Sequence, residues 1–188
     1  MSPKTEREKM LAGELYLAID PELAQMQSAA RRLMHEHNLS HPDDVDRRKE
    51  LMRQLLGEIG TDFVIEPPFY CDYGCNIFAG DRLFINYDCA ILDCAPVHIG
   101  NDVLLGPKVQ LYTAFHPTDP EIRLSGKEAA APITIGDNVW LGGGVIVCPG
   151  VAVGANVTIG AGSVVTRDVP EGAIAVGNPC RVIKMASS

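Results

Sequence analysis

The sequence predicts a mainly β fold, a solenoid of short strands wound into a three-sided prism behind a small helical module. Three observations carry this. From Ile135 onward an aliphatic residue falls at every sixth position: Ile135, Leu141, Val147, Val153, Ile159 and Val165. Four residues after each of these stand Val139, Val145, Val151, Val157, Ser163 and Val169. Strict sixes match neither the 3.6 period of a helix nor the 2 of a simple strand, and a fixed period repeated this often marks a stacked solenoid. Finally, no helix-length segment separates the repeats, which argues against a parallel sheet joined by helical crossovers. One strand and one corner form a unit, and three units close a coil.

The first sixty residues read differently. A short helix is expected near Glu6–Ala12. Asp20 as N-cap and Pro21 at the first helical position open a second one, whose apolar side chains Leu23, Met26, Ala30, Leu33 and Met34 keep helical spacing as far as Asn38. A third amphipathic segment starts near Pro42, carries Val45, Leu51, Met52, Leu55, Leu56 and Ile59, and is closed by Gly57 and Gly60. His35, His37 and His41 surround the connection between these helices and read as solvated surface. Helices this few and short need another surface to pack on. The division expected is a helical module over 1–60 and a β-helical domain over 61–188.

Strand-like text begins at Phe63. Ala79, Ile85 and Ile91 share one six-residue phase, which slips by two near Ala95-Pro96 and settles on Ile99, Leu105 and Leu111. From Leu111 to Ile135 is 24 residues, a multiple of six. The stretch Phe115–Pro132 therefore leaves the coil and returns in register, as a projecting loop at about 115–132. Long excursions from a rigid scaffold are usually functional. Gly136, Gly142, Gly154 and Gly160 follow the leading aliphatics and are assigned to corners, where side chains collide or φ is unusual.

Bulk properties narrow the partners. A net charge of −8 leaves no footprint for nucleic acid or an acidic membrane surface. No apolar run reaches the roughly 18–20 residues that span a bilayer, and Met1–Met10 lacks the apolar core of a secretory signal. A cytoplasmic location is expected. The six cysteines form no CxxC pair and have no matching histidines, so reduced packing thiols are expected and no metal.

The hexad [Ile/Leu/Val]-Gly-x-x-Val-x resembles that of the hexapeptide-repeat acyltransferases. Further segments agree with one branch: Lys9-Met10-Leu11-Ala12-Gly13-Glu14-Leu15-Tyr16, Glu66-Pro67-Pro68-Phe69-Tyr70-Cys71-Asp72-Tyr73-Gly74, Ile85-Asn86-Tyr87-Asp88-Cys89, Tyr112-Thr113-Ala114-Phe115-His116-Pro117 and Gly177-Asn178-Pro179-Cys180-Arg181-Val182-Ile183-Lys184. Over nearly its whole length the chain is similar to the sugar O-acetyltransferases, which include the maltose, galactoside and nodulation-factor enzymes. The short tail Met185–Ser188 fits the maltose group better than the galactoside group. The resemblance implies a left-handed coil, acetyl-CoA as co-substrate, a sugar acceptor such as maltose or glucose, and a homotrimer with sites between subunits.

Acetyl transfer from a thioester to a hydroxyl needs a base, an oxyanion donor and a cleft for coenzyme A. Histidine suits the first task because its pKa near 6.5 lets it work in both directions at neutral pH. His98 precedes a hexad leader and faces outward. His116, at the root of the projecting loop, matches the family motif of the catalytic base, and Glu128 is a candidate to orient it. The resemblance places acceptor contacts at Asp72 and Asp93, although the galactoside group has serine at the first of these, and Cys94 replaces an aspartate of that group. Asn86 matches a residue that binds in the acceptor and thioester region. Trp140 is a candidate for the acceptor side. For coenzyme A the resemblance implies Gly143, with its N–H as oxyanion donor, Ala161, Thr166, Arg167, Arg181 and Lys184; arginine's fork suits phosphate. Other acceptors (galactoside, xenobiotic or serine), a carbonic-anhydrase-like metalloenzyme and a non-catalytic scaffold are the rival readings. The metalloenzyme needs a histidine cluster, and only His98 and His116 lie in the repeat region.

Overall fold

The computed structural model describes residues 3–185; part of the Met185–Ser188 tail lies outside them. Helix α1 (Glu6–Leu11) starts in a capping box between Thr5 and Glu8. Strand β1 (Tyr16–Leu17) follows, then α2 (Pro21–Asn38), whose Asp20 cap accepts from the Glu22 and Leu23 amides as the sequence predicts. Helix α3 (Val45–Leu55) is shorter than expected. Ile59 is in a strand, because Leu56 turns extended and the Gly57 amide already donates to Gly74 and Ile77 of the solenoid.

Five full coils and a partial sixth follow. The first holds β2 (Glu58–Ile59), β3 (Phe63–Ile65) and β4 (Phe69–Cys71), the second β5 (Ile77–Ala79), β6 (Leu83–Ile85) and β7 (Cys89–Leu92), and the third β8 (Val97–Ile99), β9 (Leu104–Leu105) and β10 (Gln110–Tyr112). Then comes the excursion, with β11 (Ala114–Phe115), α4 (Pro120–Leu124) and β12 (Lys127–Ala130). The fourth coil is β13 (Ile133–Ile135), β14 (Trp140–Leu141) and β15 (Ile146–Val147), the fifth β16 (Ala152–Val153), β17 (Thr158–Ile159) and β18 (Val164–Val165). Val169 bridges Val153, β19 (Ala173–Val176) continues the coil, and β20 (Arg181–Met185) folds back antiparallel on β19.

Strands of successive coils stack in parallel into three walls: β2-β5-β8-β13-β16, β3-β6-β9-β14-β17-β19 and β4-β7-β10-β15-β18. The pairing explains the loose early phase. Phe63 pairs with Leu83 and Ala79 with Ile99, twenty residues apart, whereas Ile135 pairs with Val153, eighteen apart. Each early coil carries two extra residues at the corner between third and first walls. Ile99 pairs with Ile135 across the excursion, so the chain does return in register.

Inside the prism the leading aliphatics and their partners four residues on are buried. Full burial of one such side chain contributes roughly 1.5–3 kcal/mol. Ser163 is buried in a valine slot and satisfied: its Oγ donates to the Gly160 carbonyl (2.6 Å) and accepts from the Gly177 amide (2.9 Å). The glycines after the leaders are set by close approach and not by φ. A Cβ on Gly142 would lie 2.6 Å from the Ala161 nitrogen. Left-handed φ falls on other positions, among them Arg82, Asp102, Asn138 and Asn156, stacked at the corner between first and second walls, and Gly144 and Gly162 between second and third.

Helices α2 and α3 close the open end of the prism, adding Ala30, Met34, Leu51, Met52 and Leu55 to its core. Asn38 docks on β4 by two hydrogen bonds with Phe69, which partner an edge strand. His37 is a correction: it is buried on the inner face of α2, with both ring nitrogens unpartnered. His35 and His41 are exposed, and so is His98, stacked on Phe78. All six cysteines are free thiols, four of them buried.

Candidate active site

Every residue beyond the minimal repeat is placed at one corner, between third and first walls. That corner holds Asp72–Asn76 in the first coil, Asp93–Pro96 in the second and the excursion in the third. The projecting loop is a built element: β11 pairs with β12, and β1 adds to the other side of β12, giving a three-stranded antiparallel sheet. A second small core, including Met10, Tyr16, Leu23, Tyr73, Cys94 and Ala130, fixes this sheet to the corner.

His116 stands at the end of β11 with its side chain 65% exposed, and its Nε2 lies 3.8 Å from Glu128 Oε2. The other oxygen of Glu128 accepts a 2.6 Å hydrogen bond from the Tyr16 hydroxyl. Cys94 lies beside Tyr16 in the same core, and its thiol donates to Asp72 Oδ2 at 3.4 Å. Burial raises the Asp72 carboxyl above its ordinary range, with Glu128 adding to the rise and the Cys94 hydrogen bond and Arg31 opposing it. Burial likewise pushes the Cys94 thiol and the Tyr16 phenol up, which keeps both protonated. The geometry thus brings His116, Glu128, Tyr16, Cys94 and Asp72 into one chain of contacts.

Asp93 sits behind it, fully buried. Its Oδ1 accepts from the Asp72 and Tyr73 amides (3.0 and 2.8 Å) and its Oδ2 from Asn76 (3.2 Å). Burial pushes this carboxyl up to about 6, against the pull of those amides. The placement makes Asp93 a brace for the corner, one layer beneath Asp72.

Asn86, Gly143 and Ala161 lie on a different edge, between second and third walls. Asn86 Oδ1 accepts from the Tyr87 amide at 2.9 Å. Gly142 and Gly144 donate their amides to Ile159 and Pro107, but among the described residues the Gly143 and Ala161 N–H groups have no main-chain acceptor. Two stacked free amides on a corner of small residues fit a narrow polar chain such as pantetheine, and an oxyanion. Thr166 and Arg167 stand at the third–first corner of the fifth coil. Arg167 and Arg181 line one small cleft with Cys180 at the far end of the prism. Lys184 is further along β20, opposite Ile174. Trp140 is exposed on the outer face of the second wall, next to Leu104. Among the described residues no group of three His, Cys, Asp or Glu side chains forms a candidate metal site.

The sequence had no local signal for the Tyr16–Glu128 contact, since it joins residues 112 positions apart. Arg31, the cation that opposes the rise at Asp72, likewise comes from α2, 41 positions away in sequence.

Residues 9–60 match the maltose acetyltransferase hexapeptide capping motif, and residues 132–167 match the bacterial transferase hexapeptide of six repeats. Nodulation protein L of Rhizobium meliloti is 51% identical, over 95% of this chain and 98% of that protein. A solved maltose O-acetyltransferase from Clostridium difficile superposes with a TM-score of 0.98 at 48% identity, covering 100% of both chains. A galactoside acetyltransferase solved in complex with coenzyme A superposes with a TM-score of 0.95 at 39% identity, over 98% of this chain and 92% of that one. The prism, the capping helices and these likenesses place the chain in the hexapeptide-repeat acetyltransferase family, in the branch that carries the maltose acetyltransferase capping motif.

Proposed function

We propose that this enzyme transfers the acetyl group of acetyl-CoA to a hydroxyl of a sugar such as maltose or glucose, with His116 as general base. Family membership supports acetyl-CoA as donor, and the related galactoside acetyltransferase holds coenzyme A. The observation that carries the assignment of the base is the position of His116, at the root of the excursion and against a carboxylate whose other oxygen is tied down. In the proposed reaction His116 takes the acceptor proton as the hydroxyl oxygen bonds to the thioester carbon. The Gly143 N–H receives the developing oxyanion. The carbon–sulfur bond then breaks, and the imidazolium returns its proton to the leaving thiolate.

The acceptor lies near Asp72, with Asp93 supporting it from below, and Asn86 faces the thioester. Ala161 borders the pantetheine, and Thr166, Arg167, Arg181 and Lys184 meet the phosphates. Asn86, Gly143 and Ala161 occupy one edge of the prism and His116 another, so a site using both sets is built from neighbouring prisms. We therefore infer a homotrimer with shared sites. An apolar stripe on the outer second wall supports association: Val64, Phe84, Leu104 and Trp140 stack in successive coils, and Val64, Leu104 and Trp140 are exposed. Six free thiols fit work in the reducing cytoplasm.

Thiol release from acetyl-CoA, measured with maltose, glucose, galactosides, serine and chloramphenicol, tests the reading. Turnover is expected with sugars. His116→Ala is expected to lower it by about 10²–10⁴-fold; a variant that stays within about tenfold of normal shows that His116 is not the base.

A further inference from the structure

We propose that Tyr16, from the N-terminal module, is a positioning residue for the catalytic base: its hydroxyl holds the Glu128 carboxylate, and that carboxylate holds His116. The proposal rests on the reading of His116 as the base.

Strand register makes the contact possible. Tyr16 and Glu128 are direct partners in the β1–β12 ladder, so their side chains leave the sheet on the same face. The Tyr16 ring is fully buried, packed with Met10, Leu23, Tyr73 and Ala130, and a ring so enclosed has one place to put its hydroxyl. The 2.6 Å bond to Oε1 is short, as bonds to ionised acceptors are.

Glu128 needs such a partner. Its side chain is only 16% exposed, and a carboxylate that far from water is costly unless hydrogen-bonded. The division of its two oxygens is the informative feature. Oε1 is sealed inside by Tyr16, which turns Oε2 toward His116. His116 is itself exposed at a loop root, and Glu128 is its one ionic partner among the described residues. An ordinary surface ion pair of that length fixes little. Here one member is immobilised by a buried phenol, so the ring loses rotamers that would point it away from the acceptor. The 3.8 Å separation leaves room for tightening when the acceptor binds, as is usual for catalytic contacts in a ligand-free site.

The test compares Tyr16→Phe, Glu128→Gln, their double variant and His116→Ala, by steady-state kinetics with acetyl-CoA and a sugar acceptor and by thermal midpoint. Tyr16→Phe keeps the ring in the core and removes one hydroxyl. Its kcat is expected to fall about 10- to 100-fold, with the KM for acetyl-CoA within about twofold and the midpoint near that of the parent. Because the hydroxyl acts only through the carboxylate, the double variant should be no slower than Glu128→Gln alone. A kcat for Tyr16→Phe within about twofold of the parent overturns the proposal, and so do losses that multiply in the double variant alongside a fallen midpoint, the mark of a plain structural brace. If Tyr16→Phe does not fold, an unchanged kcat in Glu128→Gln overturns it equally. A large loss in His116→Ala beside a normal Tyr16→Phe removes only the role of Tyr16, whereas a normal His116→Ala removes the base itself.

Discussion

His37 is the residue where charge type and position disagree. It follows Leu23, Ala30 and Met34 on one helical face, and all four are buried. That spacing was visible in the sequence; the polar side chain hid it. Burial, with Arg48 adding to it, drives the ring down to about 4, while an unfolded histidine titrates near 6.5. Between those values the unfolded chain binds the extra proton, so stability is full above about 6.5 and is lost as pH falls toward 4. The thermal midpoint should therefore drop across that window, and His37→Phe should flatten the drop. A cavity of about 290 Å³ beside the ring leaves room for the added carbon. Parallel midpoint-versus-pH curves for parent and variant would exclude His37 as the cause.

At the scale of elements, the strict sixes were sufficient for the late coils because each wall there takes six residues. They blurred in the early coils because the surplus is collected at one corner, out of the core. The hairpin of β11 and β12 and its partner β1 were illegible, since pairing between residues 16 and 128 depends on where the whole solenoid carries them. Of the two reasons offered for the glycines after the leaders, collision is the one that holds: a Cβ there meets the next coil, main chain at Gly136, Gly142 and Gly154 and the Val176 side chain at Gly160. Gly142→Ala puts a Cβ 2.6 Å from the Ala161 nitrogen, and neither backbone can move without breaking its ladder. A loss of about 1–3 kcal/mol is expected, read as a midpoint lowered by several degrees. A midpoint unchanged in Gly142→Ala would show that the coils can spread.

At the scale of the molecule, the two functional edges make a specific forecast about mixing. If His116 of one prism works with Asn86 of a neighbour, then His116→Ala and Asn86→Ala chains, each inactive alone, form some intact sites when co-assembled. Random mixing in equal amounts restores about a quarter of normal turnover in a cyclic trimer. Mixed assemblies that stay as inactive as either parent place both residues within one chain's site.

The confinement of extra residues to one corner has a consequence for how such an enzyme can change. The corner has absorbed two residues in each early coil and an antiparallel hairpin with a short helix in the third, and still Ile99 meets Ile135 in register. Chain added there alters what stands over His116 without displacing a core side chain, and closing a longer surface loop costs little. The edge of small residues has no such freedom, because a single carbon at Gly142 already collides. On the proposed reading, acceptor choice can drift on one side of this molecule while the handling of the thioester stays fixed on the other.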